Sequence, residues 1–332
     1  MALLELDRLT RHFELSPGFI GRQMLRKPNS HIKAVEQLSV SLNEGEILGI
    51  AGESGCGKST TCTMLSGLLA PSGGDIRFKG QSILDLNAQE MKEYRRSVQM
   101  IFQDPYESLN PRFRILDIVA EGPRALALWD EEEIIQRSLS MLSSVGLPPQ
   151  KYAERFPHEL SGGERQRVGI ASALVMEPEV IIADEPLSML DVSIRAGILD
   201  LMRNMQENRG FASIYVSHDL SILGNVADRL LVMYLGQAME IGPAQEVIRN
   251  PKHPYTKALI SAVAMPDPTK RRDPPNIRGE LSQPIDPPPG CRFAPRCPYA
   301  DKSCNDVFVE MNMDDVSSHQ VACHRLKDIF ND

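Results

Sequence analysis

The sequence predicts an α/β fold, with a mostly parallel sheet flanked by helices, a helical insert and a loop-rich C-terminal extension. Three observations predict it. First, short apolar runs recur between helical patterns: Ile47–Ala51, Val98–Phe102, Val180–Ala183, Ala212–Val216 and Leu230–Met233. Runs of this length bounded by Gly, Asp or His are the mark of strands buried on both faces, as in a parallel sheet. Second, strand patterns disappear between Asp104 and Pro157. Asp130–Val145 spaces its Leu and Ile residues as an amphipathic helix does, so a helical insert is expected there. Third, composition shifts after residue 250, where Asn250–Tyr255, Met265–Pro268 and Asp286–Gly290 are proline-rich and predict no regular elements. An extended tail ending in a cysteine group is expected.

Size and charge narrow the classes. The 332 residues fit one large domain or two ordinary ones, and an apolar content of 42% is enough for a sizeable core. A net charge of −8 argues against a general nucleic-acid binder, although it leaves room for a local phosphate site. No window approaches the length of apolar chain that crosses a bilayer. The start, Met1–Asp7, lacks a basic segment followed by an apolar one. The chain is therefore expected in the cytosol, meeting a membrane only through partners. Of six cysteines, Cys291, Cys297, Cys304 and Cys323 crowd the C-terminal region, which in a cytosolic protein reads more readily as metal binding than as disulfides.

The strongest single signal is Gly52-Glu-Ser-Gly-Cys-Gly-Lys58-Ser59, which follows an apolar strand and fits G-x-x-x-x-G-K-[ST]. Glycines let such a loop curl its N–H groups inward onto phosphate oxygens, and the helix that follows adds the partial positive charge of its N-terminus. Lys58 would reach the β- and γ-phosphates, and the Ser59 hydroxyl would bind Mg²⁺. The bland alternative is a glycine-rich turn matching by chance. A second signal is Val180–Glu185, an apolar strand ending in two acids. Asp184 would hold Mg²⁺ through water, and Glu185 would serve as general base on the attacking water. In isolation two solvated acids capping a strand would be as good a reading.

Leu160-Ser161-Gly162-Gly163-Glu164-Arg165-Gln166 resembles the signature motif of ABC-type ATPases, and the other motifs follow in that family's order. Gln103 matches the Q-loop, Ser188–Asp191 the D-loop, and His218 the switch histidine. Phe13 stands where the family places a ring against adenine. The resemblance implies a P-loop NTPase (RecA-like) core with an antiparallel β edge. It implies an ATP-binding domain over residues 1–250, with a helical subdomain at about 106–165, and an extension over 251–332. It assigns ATP to Phe13, Gly52, Ser54, Gly55, Cys56, Gly57, Lys58, Ser59, Thr60 and Asp184. Ser59, Gln103 and Asp184 are assigned to Mg²⁺, and Glu185, His218 and Gln103 to catalysis. Ser161, Gly162, Gly163 and Gln166 would serve the ATP of a second motor subunit, with Asp191 of the D-loop between the two. There are departures: Leu187 stands where Thr is common, Met189 where Ala is, and Phe13 where Tyr is. The first two are expected beside the dimer seam.

Gln103–Arg112 resembles the Q-loop of oligopeptide and dipeptide importers, and Asn250–Leu259 with Gly290–Tyr299 resembles their C-terminal region. The implied partners are a second ATPase chain, two membrane permease subunits and, indirectly, an extracytoplasmic substrate-binding protein. The implied place is the cytoplasmic face of the membrane. Relatives carry nickel or sugars, so those substrates stay as alternatives. Exporter motors and soluble ABC ATPases also remain, though only about a hundred residues separate the phosphate loop from the signature, with no sustained heptads. The spacing C-x5-C-x6-C-x18-C lacks the tight pairs of structural zinc sites. The resemblance implies a [4Fe–4S] cluster on the four cysteines, with Zn²⁺, free thiols or a disulfide as alternatives. Arg292, Arg296 and Arg325 are expected to offset thiolate charge, and His319 and His324 to be solvated rather than ligands.

Overall fold

The computed structural model describes residues 2–15, 30–262, 277–279, 285–311 and 319–330. Met265–Pro268 therefore lies outside the described residues. The chain begins with two long strands, β1 (Ala2–Leu15) and β2 (Ser30–Asn43), paired antiparallel with several register shifts. β3 (Ile47–Ala51) runs into α1 (Lys58–Leu65), and β4 (Gly73–Phe78) and β5 (Gln81–Ser82) follow. Then come α2 (Ala88–Ser97), β6 (Val98–Ile101) and the helical insert, with α3 (Ile115–Leu126), α4 (Glu131–Ser144) and α5 (Gly162–Leu174). β7 (Val180–Asp184), α6 (Val192–Arg209), β8 (Ala212–Ser217), α7 (Leu220–Val226) and β9 (Arg229–Tyr234) complete the alternating part. β10 (Gln237–Pro243), α8 (Ala244–Arg249), α9 (Pro254–Ala262) and the short β11 (Gln320–Val321) close it.

Among the described residues these strands form two sheets. One is a four-stranded antiparallel sheet ordered β2-β1-β4-β5. The other is seven-stranded, β11-β10-β9-β3-β8-β7-β6, parallel from β9 through β6 and antiparallel at β10 and β11. All five expected apolar runs are strands of the second sheet. β3 and β7 are buried at every position, and their side chains alternate between two cores. Val180 and Ile182 face the antiparallel sheet, whereas Ile181 and Ala183 face the helical side.

The helical insert forms as its pattern predicts. Asp130 caps α4 by accepting the Glu133 N–H at 2.9 Å, and Glu131–Glu133 place negative charge at the helix N-terminus. Ile134, Ser138, Met141 and Leu142 make its buried stripe. Trp129 packs beneath the Arg96 and Arg137 guanidinium groups.

The expectation of an extended tail after residue 250 is corrected. Pro254 opens a helix, where a missing N–H is no loss. The segment from residue 285 packs back onto the core. Phe293 is buried among Tyr234, Tyr255 and His253. Arg292 is buried too. It donates to the Lys33 and Leu235 carbonyls and pairs with Glu36 at 2.9 Å, although burial pulls its guanidinium down to about 10. β11 extends the sheet beside β10. There the buried Glu240 accepts the Lys252 and His253 N–H groups and meets His319. His319 is thus packed rather than solvated.

His253 gives this junction a pH dependence. Its Nδ1 accepts the Tyr255 N–H, and burial pulls its pKa down to about 4, against the opposing charge of Glu240 and a hydrogen bond to the Ala322 backbone. The unfolded ring titrates near its ordinary value, so between those two pH values the unfolded chain binds more protons. Stability then falls as pH drops below about 6.5. Urea unfolding should show a loss of about 2 kcal/mol from this group between pH 7 and pH 5, and His253→Gln should flatten that slope.

Candidate functional site

The site forms where three strands end at one edge of the parallel sheet. Residues 52–57 leave β3 as a loop wrapped over the N-terminus of α1. Gly57 sits at φ +104°, and a Cβ there would collide with the Ala34 carbonyl oxygen, so the turn requires glycine. α1 has no side-chain cap and no acid in its first turn, which leaves its leading N–H groups free to meet an anion. Lys58 is buried and its Nζ donates to the carbonyls of Gly52 at 2.7 Å and Glu53 at 3.1 Å.

Asp184 ends β7 and is 5% exposed. Burial raises its pKa, Glu185 adds to this, and a hydrogen bond from Ser59 and the charge of Lys58 oppose it. Its Oδ1 is buried without a partner. A carboxylate beside a serine hydroxyl, with one orphaned oxygen, is the donor set a hard cation takes, so these residues fit Mg²⁺.

Glu185 follows with φ +43°, a strained conformation for a non-glycine residue, held by its N–H bond to the Val216 carbonyl at 2.9 Å. Its Oε2 receives Gln103 Nε2 at 3.2 Å and faces His218 Nδ1 at 3.3 Å. A cleft of about 550 Å³ is lined by Ser54, Gly55, Gly57, Lys58, Ser59 and Thr60, with Gln103, Glu185 and His218 across from them. The arrangement suits an inbound polyphosphate, a cation on Ser59 and Asp184, and a water activated by Glu185.

Other expected residues fall elsewhere. Phe13 pairs across the ladder with Ile32, which lines the cleft, so the two share a face, and Arg11 stacks 4.7 Å from the Phe13 ring. Ile32 and Ala34 at the cleft carry no sequence signal. Ser161 caps α5 in a reciprocal pairing with Glu164 and does not line the cleft of its own chain. A Cβ at Gly163 would crowd the Ile194 side chain of α6. Gln166 is 1% exposed and lines a groove shared with Phe102. Asp191 is exposed at the start of α6. Met189 is exposed nearby, but Leu187 is buried in the core rather than displayed at a surface. Cys56 and Cys62 are buried, and burial raises both thiols.

The four C-terminal cysteines converge. The Cys291 N–H donates to the Cys304 carbonyl at 2.8 Å. Burial pushes the Cys291 thiol up to about 12, with the charges of Cys323, Cys297 and Cys304 adding to it. All four stand as free thiols in this structure. Among the described residues no group of three or more His, Cys, Asp or Glu is set to hold a single metal ion. Arg325 lies beside Asp301 and lowers the Cys323 thiol after burial has raised it. Arg292 and Arg296 do not serve the thiols as expected. Arg296 reaches Glu53 of the phosphate loop at 3.0 Å.

Residues 35–188 match the family described as ABC transporter, and residues 239–304 match the C-terminal region of oligopeptide/dipeptide transporters. The chain is 45% identical over 305 residues to the oligopeptide transport ATP-binding protein OppF of Salmonella typhimurium, covering 91% of this chain and 90% of the relative. It is 43% identical over 318 residues to the di/tripeptide transport ATP-binding protein DppF of Pseudomonas aeruginosa, covering 95% of each. Its fold is similar to the dimeric ATP-binding cassette MJ0796 solved with ADP and phosphate, with a TM-score of 0.62 and 26% identity, covering 73% of this chain and 98% of that one.

Glu185→Gln should lower the ATP hydrolysis rate about 10²- to 10⁴-fold while ATP binding persists. Single-turnover hydrolysis and fluorescent-ATP titration on the same preparation check it.

Proposed function

The chain belongs to the ABC transporter family, in its oligopeptide and dipeptide import group, and from that premise we propose the mechanism and assembly that follow. It is the ATP-binding subunit that energises import of di- and oligopeptides. ATP lies on the loop from Gly52 to Thr60, with adenine toward the face shared by Phe13 and Ile32. Ser59 and Asp184, with Gln103 nearby, would hold Mg²⁺, which would supply positive charge to offset that of the phosphates. Glu185 accepts a proton from the attacking water. His218 holds that carboxylate in line and donates to the γ-phosphate. The observation that supports this best is the convergence of Gln103 and His218 on one oxygen of Glu185, across from the phosphate loop.

Ser161 stands away from the cleft of its own chain, which favours a head-to-tail pair in which it serves the nucleotide of a second motor subunit. Met189 and Val192, both exposed beside Asp191, would lie at that seam. The groove between Phe102, Leu109 and Ile118 would receive a helix from a membrane permease, with Gln103, next in sequence to Phe102 and lining the phosphate-loop cleft, relaying the state of the γ-phosphate. Among the described residues no helix is long and apolar enough to cross a membrane. In the proposed assembly the subunit acts at the cytoplasmic face through its permeases, which exchange substrate with an extracytoplasmic binding protein.

The four converged thiols are proposed to hold a [4Fe–4S] cluster. A single zinc ion would need all its sulfurs within about 2.3 Å of it, whereas a cluster brings its own iron and sulfide and spans a wider set of thiolates. When bound it would cross-link the loops around Cys291, Cys297, Cys304 and Cys323, with no redox step implied.

The assembled transporter in vesicles should import labelled dipeptide with ATP, and Lys58→Ala in this chain should abolish uptake. Uptake of nickel or a sugar instead would overturn the peptide assignment. Protein purified without oxygen should carry about four irons and four sulfides per chain, lost in Cys297→Ser. Zinc alone, or no metal, would remove the cluster.

A further inference from the structure

The phosphate loop carries an acid, Glu53, in its second position. A carboxylate in an anion cradle repels the ligand unless something neutralises it. In this fold its neutralisation comes from the C-terminal extension. Arg296 Nη1 meets both Glu53 carboxylate oxygens, at 3.2 and 3.0 Å, and also donates to the Tyr234 hydroxyl at 3.2 Å. The Glu53 N–H donates to the hydroxyl of Tyr255, itself 1% exposed, at 3.0 Å. The Glu53 carbonyl accepts from Lys58 Nζ and from the Cys56 N–H at 3.2 Å. Every polar group of this residue is therefore fixed, and two of the partners come from beyond residue 250.

The same extension reaches the other side of the loop. The Cys56 carbonyl accepts the Gly236 N–H at 2.8 Å. Arg292 holds that turn through the Leu235 carbonyl. The tyrosine and phenylalanine rings behind the loop lock these groups together: Tyr234 and Tyr255 lie 4.7 Å apart, and Phe293 lies 5.3 Å from each. The rings allow these hydroxyls and guanidinium groups little freedom to turn away.

We propose that Arg296 and Tyr255 are positioning residues for ATP binding, holding Glu53 so that its charge is cancelled and the loop's amides stay aimed at the triphosphate. The inference rests on residues 52–59 being the phosphate loop. A merely structural ion pair predicts something different. A partly exposed pair adds little to stability, so its removal would leave nucleotide affinity untouched. Positioning predicts a large change in affinity with a small change in stability.

The test uses the full chain, purified without oxygen, with equilibrium titration of a fluorescent ATP analogue, ATPase kinetics in the assembled transporter, and thermal unfolding. Arg296→Ala should raise the dissociation constant and KM about three- to ten-fold, with kcat within about twofold. Arg296→Lys should keep most of the affinity. Glu53→Gln placed in the Arg296→Ala background should return it to within about twofold of the unsubstituted chain, because the uncancelled charge is gone. Tyr255→Phe, distant in sequence from the cysteines, should weaken binding about two- to five-fold, and it decides the matter should Arg296→Ala fail to fold. Unchanged affinity in Arg296→Ala or in Tyr255→Phe overturns the proposal, as does a double variant as weak as Arg296→Ala alone. Lys58→Ala separates the two levels. If it abolishes binding while Arg296→Ala binds normally, only this inference fails; if it binds ATP unchanged, the phosphate-loop assignment itself is wrong.

Discussion

The register of three parallel strands governs the rest of the structure. β8 lies between β3 and β7, pairing Ala51 with Ser217 on one side and Asp184 with Val216 on the other. Gly52, His218 and Glu185 each stand one residue beyond those pairs. Gly52 at the start of the glycine-rich loop, Glu185 and His218 are therefore brought to one edge of the sheet by the pairing of these three strands. A slip of one residue in β8 would turn its side chains to the opposite face and carry His218 away from Glu185. Burial on both faces, through Ile182, Ile214 and Val216 on one side and Ile181 and Tyr215 on the other, fixes that register.

Electrostatics completes what register begins. Two adjacent acids at a strand end repel each other, and the fold separates their environments. Asp184 is buried, its charge disfavoured and one oxygen without a partner. Glu185 is gathered by Gln103 and His218 on one oxygen. Asp184 is thereby suited to a cation and Glu185 to a proton. The strained backbone at Glu185, anchored through Val216, aims its side chain at the cleft rather than along the strand.

The central sheet and the motifs of the candidate site were legible in the sequence because each is a local signal. Buried parallel strands are short apolar runs, and the phosphate loop, signature and switch histidine are contiguous words. The long strands β1 and β2 were harder to read, since their half-exposed faces and register shifts blur the two-residue alternation. The proline-rich start at Asn250 concealed α9, because a proline that stops a helix in its middle opens one at its first turn. Least legible were contacts between distant segments. Arg296 lies beside Cys297 in sequence, and that proximity made thiolate charge its expected partner. Its actual partner, Glu53, is 243 residues away. No periodicity or spacing encodes such a pair.

That pair changes what the C-terminal extension is to the molecule. A tail joined only by a linker would contribute its own fold and leave the ATP site indifferent to it. Here Tyr255 and Phe293 belong to the same core as Ile181 and Tyr215 beneath the sheet. Glu240 ties β10 to the start of α9 and to β11 in one buried polar group. Removing the extension would expose Tyr234, strand the buried Glu240 without His253 and His319, and uncover the acid in the phosphate loop. A buried carboxylate left unpartnered is more destabilising than the loss of the contacts alone. The cysteine loops sit on this same framework, with Arg292 and Arg296 falling between Cys291 and Cys297 in the chain. The loop that carries Cys291 and Cys297 therefore also delivers the two arginines to the back of the phosphate loop, where Leu235, Glu36 and Glu53 hold them.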